Sequence, residues 1–177
     1  MIGKEISMFL SEPIDAWNRV YGNIAFKIDD FLLEIRNETT CIEYFSGKED
    51  VAKFSVSVLS SGFKPISGEF VEKNEIKSRI EDVIVIRDEV FVSVSSGKTS
   101  FGIAIDDGIV IKTENIFLIV CQDWHLMEMI RILFSNDYRR DMRSVSEVEA
   151  DFSGSEANRY SAVCKRSEIL LKHVQGA

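Results

Sequence analysis

Residues 83–121 read VIVIRDEVFVSVSSGKTSFGIAIDDGIVIKTENIFLIVC, the most strongly β-like stretch of the chain. Runs of β-branched and aromatic residues alternate there with short polar breaks, which is typical of strands joined by tight turns. Connections this short exclude parallel pairing, because parallel neighbours need a long crossover. The stretch therefore predicts an antiparallel β-meander. Its predicted strands cover residues 83–86, 90–94, 99–105, 109–112 and 116–121.

Acidic residues occupy most of the predicted turns. Asp107-Gly108 is a strong hairpin signal, because both residue types tolerate positive φ. Asp88-Glu89 interrupts another apolar run, and Asp29-Asp30 separates predicted strands at residues 25–28 and 31–36. We therefore expect exposed negative charge at the hairpin tips. The residues concerned are Asp29, Asp30, Asp88, Glu89, Asp106 and Asp107.

Three further segments favour helix. Residues 13–21 have apolar side chains on one face and a proline in the first turn, as short N-terminal helices do. Residues 123–134 are apolar on nearly all sides after a capping Asp123, which predicts a buried helix. Residues 156–174 predict a C-terminal helix. The fold class is thus α+β, with an antiparallel meander of about seven to nine strands packed by the helices predicted at 123–134 and 156–174.

Domain organisation follows from length. A chain of 177 residues fits one globular α+β domain over 1–177, with a helical appendage from about residue 135. No apolar stretch approaches the ~20 residues of a membrane span. Three widely spaced cysteines do not form a disulfide framework. We expect a cytoplasmic protein of bacterial type.

Charge restricts the partners. The chain carries 21 basic and 29 acidic residues, a net charge of −8. This excess repels phosphate backbones and anionic membranes, so neither nucleic acid nor membrane is an expected partner. A basic protein partner is favoured instead.

Catalytic and nucleotide motifs are incomplete. Ser96-Gly97-Lys98-Thr99 matches the end of a phosphate-binding loop, but Val92 stands where that motif needs its first glycine. A β-like run follows where a helix should begin. The chain has two histidines and no Gly-x-Ser-x-Gly elbow, so a Ser–His triad is not predicted. We expect no enzymatic activity.

Cys121, His125 and Glu128 would share one side of the predicted helix start, at helical spacing. All three residue types bind zinc, but a structural zinc site needs a fourth ligand. A buried cysteine and a histidine near an acidic neighbour account for these residues equally well. We predict neither a metal nor a cofactor.

The resulting functional prediction is a non-enzymatic inhibitor of the immunity or antitoxin type. Its acidic surface would block a basic partner, such as a bacterial nuclease toxin, by electrostatic steering and occlusion. The six turn acids named above are the predicted contact residues. The oligomeric state is left open.

Two alternatives use other parts of the chain. A small enzyme or ligand-binding domain could have a pocket near Trp124 and His125, with Glu43 and Tyr44 in its lining. A structural or adaptor module could instead self-associate through the C-terminal helix. Its contact residues would be Leu170, Leu171 and Val174.

Overall fold

The computed structural model describes residues 1–44, 47–68, 70–94, 99–153 and 160–171. These residues form ten strands and two short helices. The strands are β1 (Glu5–Ser11), β2 (Arg19–Tyr21), β3 (Asn23–Ile28), β4 (Phe31–Tyr44), β5 (Gly47–Leu59), β6 (Glu72–Val94), β7 (Thr99–Thr113), β8 (Phe117–Gln122), β9 (Met129–Ser135) and β10 (Tyr160–Leu170). The helices are α1 (Tyr138–Asp141) and α2 (Val145–Phe152).

All strands join one antiparallel sheet in the order β2-β9-β8-β7-β6-β1-β3-β4-β5, and β10 also pairs with β6. β6 spans 23 residues and is shared by both halves of the sheet. Its first part pairs with β1, and its second part lies between β7 and β10. The predicted antiparallel, sheet-dominated α+β architecture is confirmed at this level.

The main core is built by both halves of the sheet. Phe9 and Ile24, from β1 and β3, belong to the same buried cluster as Ile111, Val120 and Ile132, from β7, β8 and β9. Strands so far apart in the sheet order share a core only if the sheet folds over on itself. A smaller core lies between the end of β6 and α2. It contains Val51, Val90, Val92, Ile105, Val148, Phe152 and Cys164.

Two predicted turns in the 83–121 stretch are wrong. Asp88 and Glu89 lie inside β6, and Asp106 to Gly108 lie inside β7, so the five predicted strands merge into three. The break at Glu114-Asn115 is confirmed, and the one at Ser96-Gly97 lies outside the described residues. The strands continue through Asp88, Asp106 and Asp107 because the tertiary structure gives these side chains partners, as described below.

The three predicted helices are also wrong in the described residues. Within 13–21 the structure has β2, and within 123–134 it has a loop and most of β9. β9 pairs with β8 and β2 and buries Ile130 and Ile132, while Phe134 is half exposed. The described part of 156–174 is β10, which pairs with β6 over its full length.

Helix α2 begins at a capping box formed by Ser144 and Glu147. It buries Val148 and Phe152 against the smaller core. No helix in the described part of the chain is long and apolar enough to cross a membrane.

Candidate functional site

A buried ionic cluster lies where β10, β6 and β7 run side by side. Arg166 on β10 stands directly opposite Asp88 on β6. Its Nε donates to Asp88 Oδ1 at 2.8 Å and its Nη2 to Asp88 Oδ2 at 2.6 Å. The same Nη2 donates to Asp107 Oδ2 at 2.9 Å. Both carboxylates are fully buried, so this guanidinium supplies the charge that holds them inside.

A β-bulge delivers Asp107 to this cluster. Ile86 on β6 pairs with Gly108, and the next residue, Arg87, pairs with Asp106, so Asp107 has no partner on β6. An extra residue of this kind bends the strand and re-aims its side chain. Asp106 therefore binds Arg87 on one face of the sheet, at 2.7 Å, while Asp107 enters the interior.

His125 approaches the cluster from the loop between β8 and β9, and its protonation pattern is fixed by Gln122. The Gln122 side-chain nitrogen donates to Asn37 Oδ1 at 3.0 Å and to the Ala52 carbonyl at 2.8 Å. Its oxygen therefore faces His125 Nδ1, 2.9 Å away. Since that oxygen can only accept, Nδ1 carries the proton and Nε2 of the neutral ring is a bare acceptor.

Two acceptors consequently face each other without a proton between them. His125 Nε2 lies 3.9 Å from Asp107 Oδ1, too far for a direct hydrogen bond. Both side chains are fully buried, and neither atom has a hydrogen-bond partner among the described residues. An unpaired buried acceptor costs about 1–3 kcal/mol, so the arrangement favours an additional hydrogen-bond donor that satisfies both.

Arg143 and Asp151 extend the cluster to α2. The Arg143 carbonyl accepts from Arg166 Nη1, and Arg143 Nη2 donates to the Asp151 carboxylate. Arg143 Nη1 is the third atom of this cluster that is buried without a hydrogen-bond partner in the described structure; the others described lie elsewhere, at Ser11, Asn74 and Ser78. The Phe152 ring packs against the His125 ring with centroids 5.4 Å apart.

Burial shifts the acid–base properties of this group. It raises the pKa of Asp107 to about 6, with a further increase from the Asp88 charge, and Arg166 and Arg143 oppose the shift. Burial and then the Arg143 charge lower the pKa of His125 to about 4. Burial alone would lower the pKa of Arg166, but the hydrogen bond to Asp88 and the two aspartate charges outweigh it. Perturbed groups beside a cavity are typical of functional sites.

A cavity of about 140 Å³ adjoins the cluster at His125. Its walls come from the β4–β5 hairpin, the β8–β9 loop and α2. Ala52 on β5 donates to the His125 carbonyl at 2.8 Å, which joins the hairpin to the loop. The described lining residues are Ile42, Glu49, Val51, His125, Leu126, Asp151 and Phe152.

Asp88, Asp107 and His125 could in principle offer three metal ligands, since their ligand atoms lie within 4.8 Å of one another. The donor set fits a metal poorly, because Arg166 engages both oxygens of Asp88. Only Asp107 Oδ1 and His125 Nε2 are uncommitted, whereas zinc sites supply three or four protein ligands.

The six acids predicted to form one contact surface are separated by the structure. Asp88 and Asp107 are fully buried, so their predicted exposure is wrong. Asp29 and Asp30 form the confirmed β3–β4 turn, where Asp29 binds Lys4 at 2.6 Å. The Asp29 N–H donates to the Glu5 carbonyl, and Glu5 pairs with Arg79 on β6. About 30 Å of extended strand separates Arg79 from Asp88 on β6. Glu89 is exposed and Asp106 is partly exposed.

The structure also separates the residues that the sequence analysis considered for a pocket or a zinc site. His125 does line a cavity, but Trp124 and Glu43 are not among its described lining, and the Tyr44 side chain lies outside the description. The three residues weighed as zinc ligands are not brought together: Glu128 binds Tyr21 and Thr39 instead. Their helical spacing disappeared with the predicted helix.

Sequence reasoning missed Arg166, Gln122 and Arg143. In a strand over 160–166, successive side chains point to opposite faces, which places Arg166 on the same face as Ala162 and Cys164. This alternation was an available signal for Arg166. Gln122 gave no comparable signal, since its partners Asn37 and Ala52 come from distant parts of the chain. Arg143 has a nearby partner, Asp151, but its contact with the cluster is made through Arg166 on β10.

Comparisons with protein-family models, with curated proteins and with solved structures found no match to this chain. The function is therefore argued from the geometry of the site itself.

Proposed function

We propose that the protein is a small-molecule-binding domain whose ligand occupies the cavity at His125. The observation that carries the proposal is a pair of buried acceptors without hydrogen-bond partners in the described structure, His125 Nε2 and Asp107 Oδ1. His125 belongs to the cavity wall, and Asp107 lies directly behind it. Such atoms are rare in folded proteins and are usually satisfied by water, an ion or a ligand. No catalytic step is required, so the predicted absence of enzymatic activity stays part of the proposal.

The wall composition supports the same function. Ile42, Val51, Leu126 and Phe152 provide apolar surface, while Glu49, His125 and Asp151 provide a few polar groups. Ligand sites generally combine apolar walls with a small number of placed polar groups. The cavity is small, so the ligand, or the part of it that enters, is limited to a few heavy atoms.

Three probes of similar shape test this function: isopentylamine, isopentanol and 3-methylbutanoate. We expect at least one to bind with a dissociation constant of about 1 mM, as suits so few heavy atoms. Protein-observed NMR should place the shifted amides on residues 42–52 and 125–152. Leu126→Trp, which fills the cavity, should weaken this binding at least tenfold.

The matched control is Met127→Trp, because Met127 is the next residue on the same loop and is exposed. It should bind the probe as the unmodified protein does. Binding that is equally strong in Leu126→Trp, or no binding by any probe, would contradict the proposal.

The inhibitor function predicted from charge is a second proposal, supported by the net charge of −8 and the exposure of Asp30 and Glu89. It now depends on surface acids without Asp88 and Asp107. Binding to a basic nuclease domain should fall as salt rises and disappear in an Asp30→Lys, Glu89→Lys variant. Unchanged binding in that variant would remove this proposal.

Self-association through a C-terminal helix is not carried forward. Leu170 and Leu171 are exposed, but Leu170 ends strand β10 and the described part of the segment contains no helix. Val174 lies outside the described residues.

A further inference from the structure

The charge around the His125 cavity is negative. Glu49 and Asp151 line it, and Asp88 and Asp107 lie in the cluster behind His125. Two guanidinium groups, Arg143 and Arg166, oppose these four carboxylates. Two negative charges are left over, so the field at the cavity favours a cationic occupant.

The hydrogen-bonding groups of the lining also have one sense. The carboxylates of Glu49 and Asp151 accept, and His125 has its proton on Nδ1, where Gln122 uses it. Among the described lining residues, no side chain is left to donate into the cavity. A polar group on its occupant that contacts these side chains must therefore donate hydrogen bonds.

Glu49 is the carboxylate most available to such an occupant. Asp151 is already bound by Arg143, and Asp107 shares Arg166 with Asp88. Glu49 is exposed and has no ion-pair partner in the described part of the chain. It can accept a charge-assisted hydrogen bond at the cavity mouth without losing another contact.

Two of the three cluster atoms that lack a partner among the described residues are independent evidence for a donor, whereas the third, Arg143 Nη1, is itself a donor. His125 Nε2 and Asp107 Oδ1 are fully buried acceptors 3.9 Å apart, and both lack a partner in the described structure. A group with two or three N–H bonds can donate to both, which a carboxylate or ether cannot do. Within the cluster of Asp88, Asp107 and His125, a metal ion would find only these two atoms uncommitted.

We infer that the occupant of the His125 cavity is a small organic cation, a primary ammonium group on a short apolar body. The ammonium group donates to carboxylate and imidazole acceptors, and the apolar body packs against Ile42, Val51 and Phe152. This inference rests on the proposed function and names the ligand class for the same cavity.

The three probes introduced above rank the ligand classes, because they share an apolar body and differ in the charged or polar end. We expect isopentylamine to bind at least tenfold more tightly than isopentanol and 3-methylbutanoate. Glu49→Gln should weaken amine binding about tenfold, which corresponds to ~1.4 kcal/mol, and should leave alcohol binding unchanged.

Asp50→Asn is the matched control. Asp50 is also an exposed acid, but as the next residue on strand β5 its side chain points to the opposite face. It should change amine affinity less than twofold. An equal loss in both variants would assign the effect to general surface charge and overturn the inference.

The remaining outcomes separate this inference from the proposed function. Alcohol or carboxylate binding as tight as amine binding would overturn the ammonium class and leave the cavity function intact. If no probe binds, both fail. Zn²⁺ that shifts the same amides at micromolar concentration and displaces the amine would overturn the inference in favour of a metal ion.

Discussion

Replacing Arg166 with methionine is expected to destabilise the fold by about 3–5 kcal/mol, the usual cost of breaking a buried ion pair from one side. Arg166 is the group that binds both Asp88 and Asp107, and each of those carboxylates is fully buried. Methionine keeps the apolar length of the side chain but leaves two interior carboxylates without their ion-pair partner. The measurement is the free energy of unfolding by urea at pH 7.

Arg139→Met provides the matched control for Arg166→Met. Arg139 also makes a paired contact with a carboxylate, at 2.7 Å to Glu168, but it lies on the surface with 68% of its side chain exposed. Exposed pairs contribute about 0–1 kcal/mol, so this variant should be close to the unmodified protein. Adding Asp88→Asn to Arg166→Met should recover part of the loss. Similar losses in the two single variants would show that the interior cluster is not the ionic centre described here.

The pH dependence of stability should reveal Asp107 and His125 as an opposed pair. Burial raises the pKa of Asp107 from 3.8 to about 6, so its stabilising contribution is complete below pH 3.8 and is lost as pH rises through about 6. Burial lowers the pKa of His125 from 6.5 to about 4, so its contribution is complete above pH 6.5 and is lost as pH falls through about 4.

Between pH 4 and 6 these two effects cancel, since each changes stability by about 1.4 kcal/mol per pH unit in opposite directions. Single substitutions should remove the cancellation. Relative to the unmodified protein, Asp107→Asn should lose about 2–3 kcal/mol on going from pH 6 to pH 4, and His125→Gln should gain about the same.

Urea unfolding of both variants at half-unit pH intervals measures this trend. A constant offset at all pH values is irrelevant, because only the change with pH reports the titration. The exposed Asp30→Asn is the control for removing a carboxylate. If the difference in unfolding free energy from the unmodified protein did not change with pH in either variant, the predicted pKa shifts of Asp107 and His125 would be refuted.

Asp88 shows why part of the site could not be read from the sequence. An Asp-Glu step between two apolar runs is a reasonable turn, and the similar Asp29-Asp30 step is indeed a turn. At Asp88 the strand continues because Arg166 arrives from β10, more than 70 residues later, and pairs with its side chain. Local sequence carries no information about such a partner.

The 123–134 segment failed for a different reason. Residues that are apolar on nearly all sides suit a buried helix or a strand covered on both faces, and periodicity alone does not separate the two. β9 is a strand because β8 and β2 supply its hydrogen-bond partners. His125 was selected as a pocket candidate from the sequence, but through an expected helix that does not form.

Apolar runs separated by short polar breaks determined, by themselves, that the central part of the chain forms an antiparallel sheet. They could do so because connections of a few residues cannot make the crossover that parallel strands need. The tertiary structure alone decided which polar residues enter the interior, since burying Asp88, Asp107 and His125 is tolerable only where Arg166 and Gln122 meet them. That meeting depends on the register of β6, β7 and β10 and on the bulge at Asp107, which the residues near each side chain do not specify.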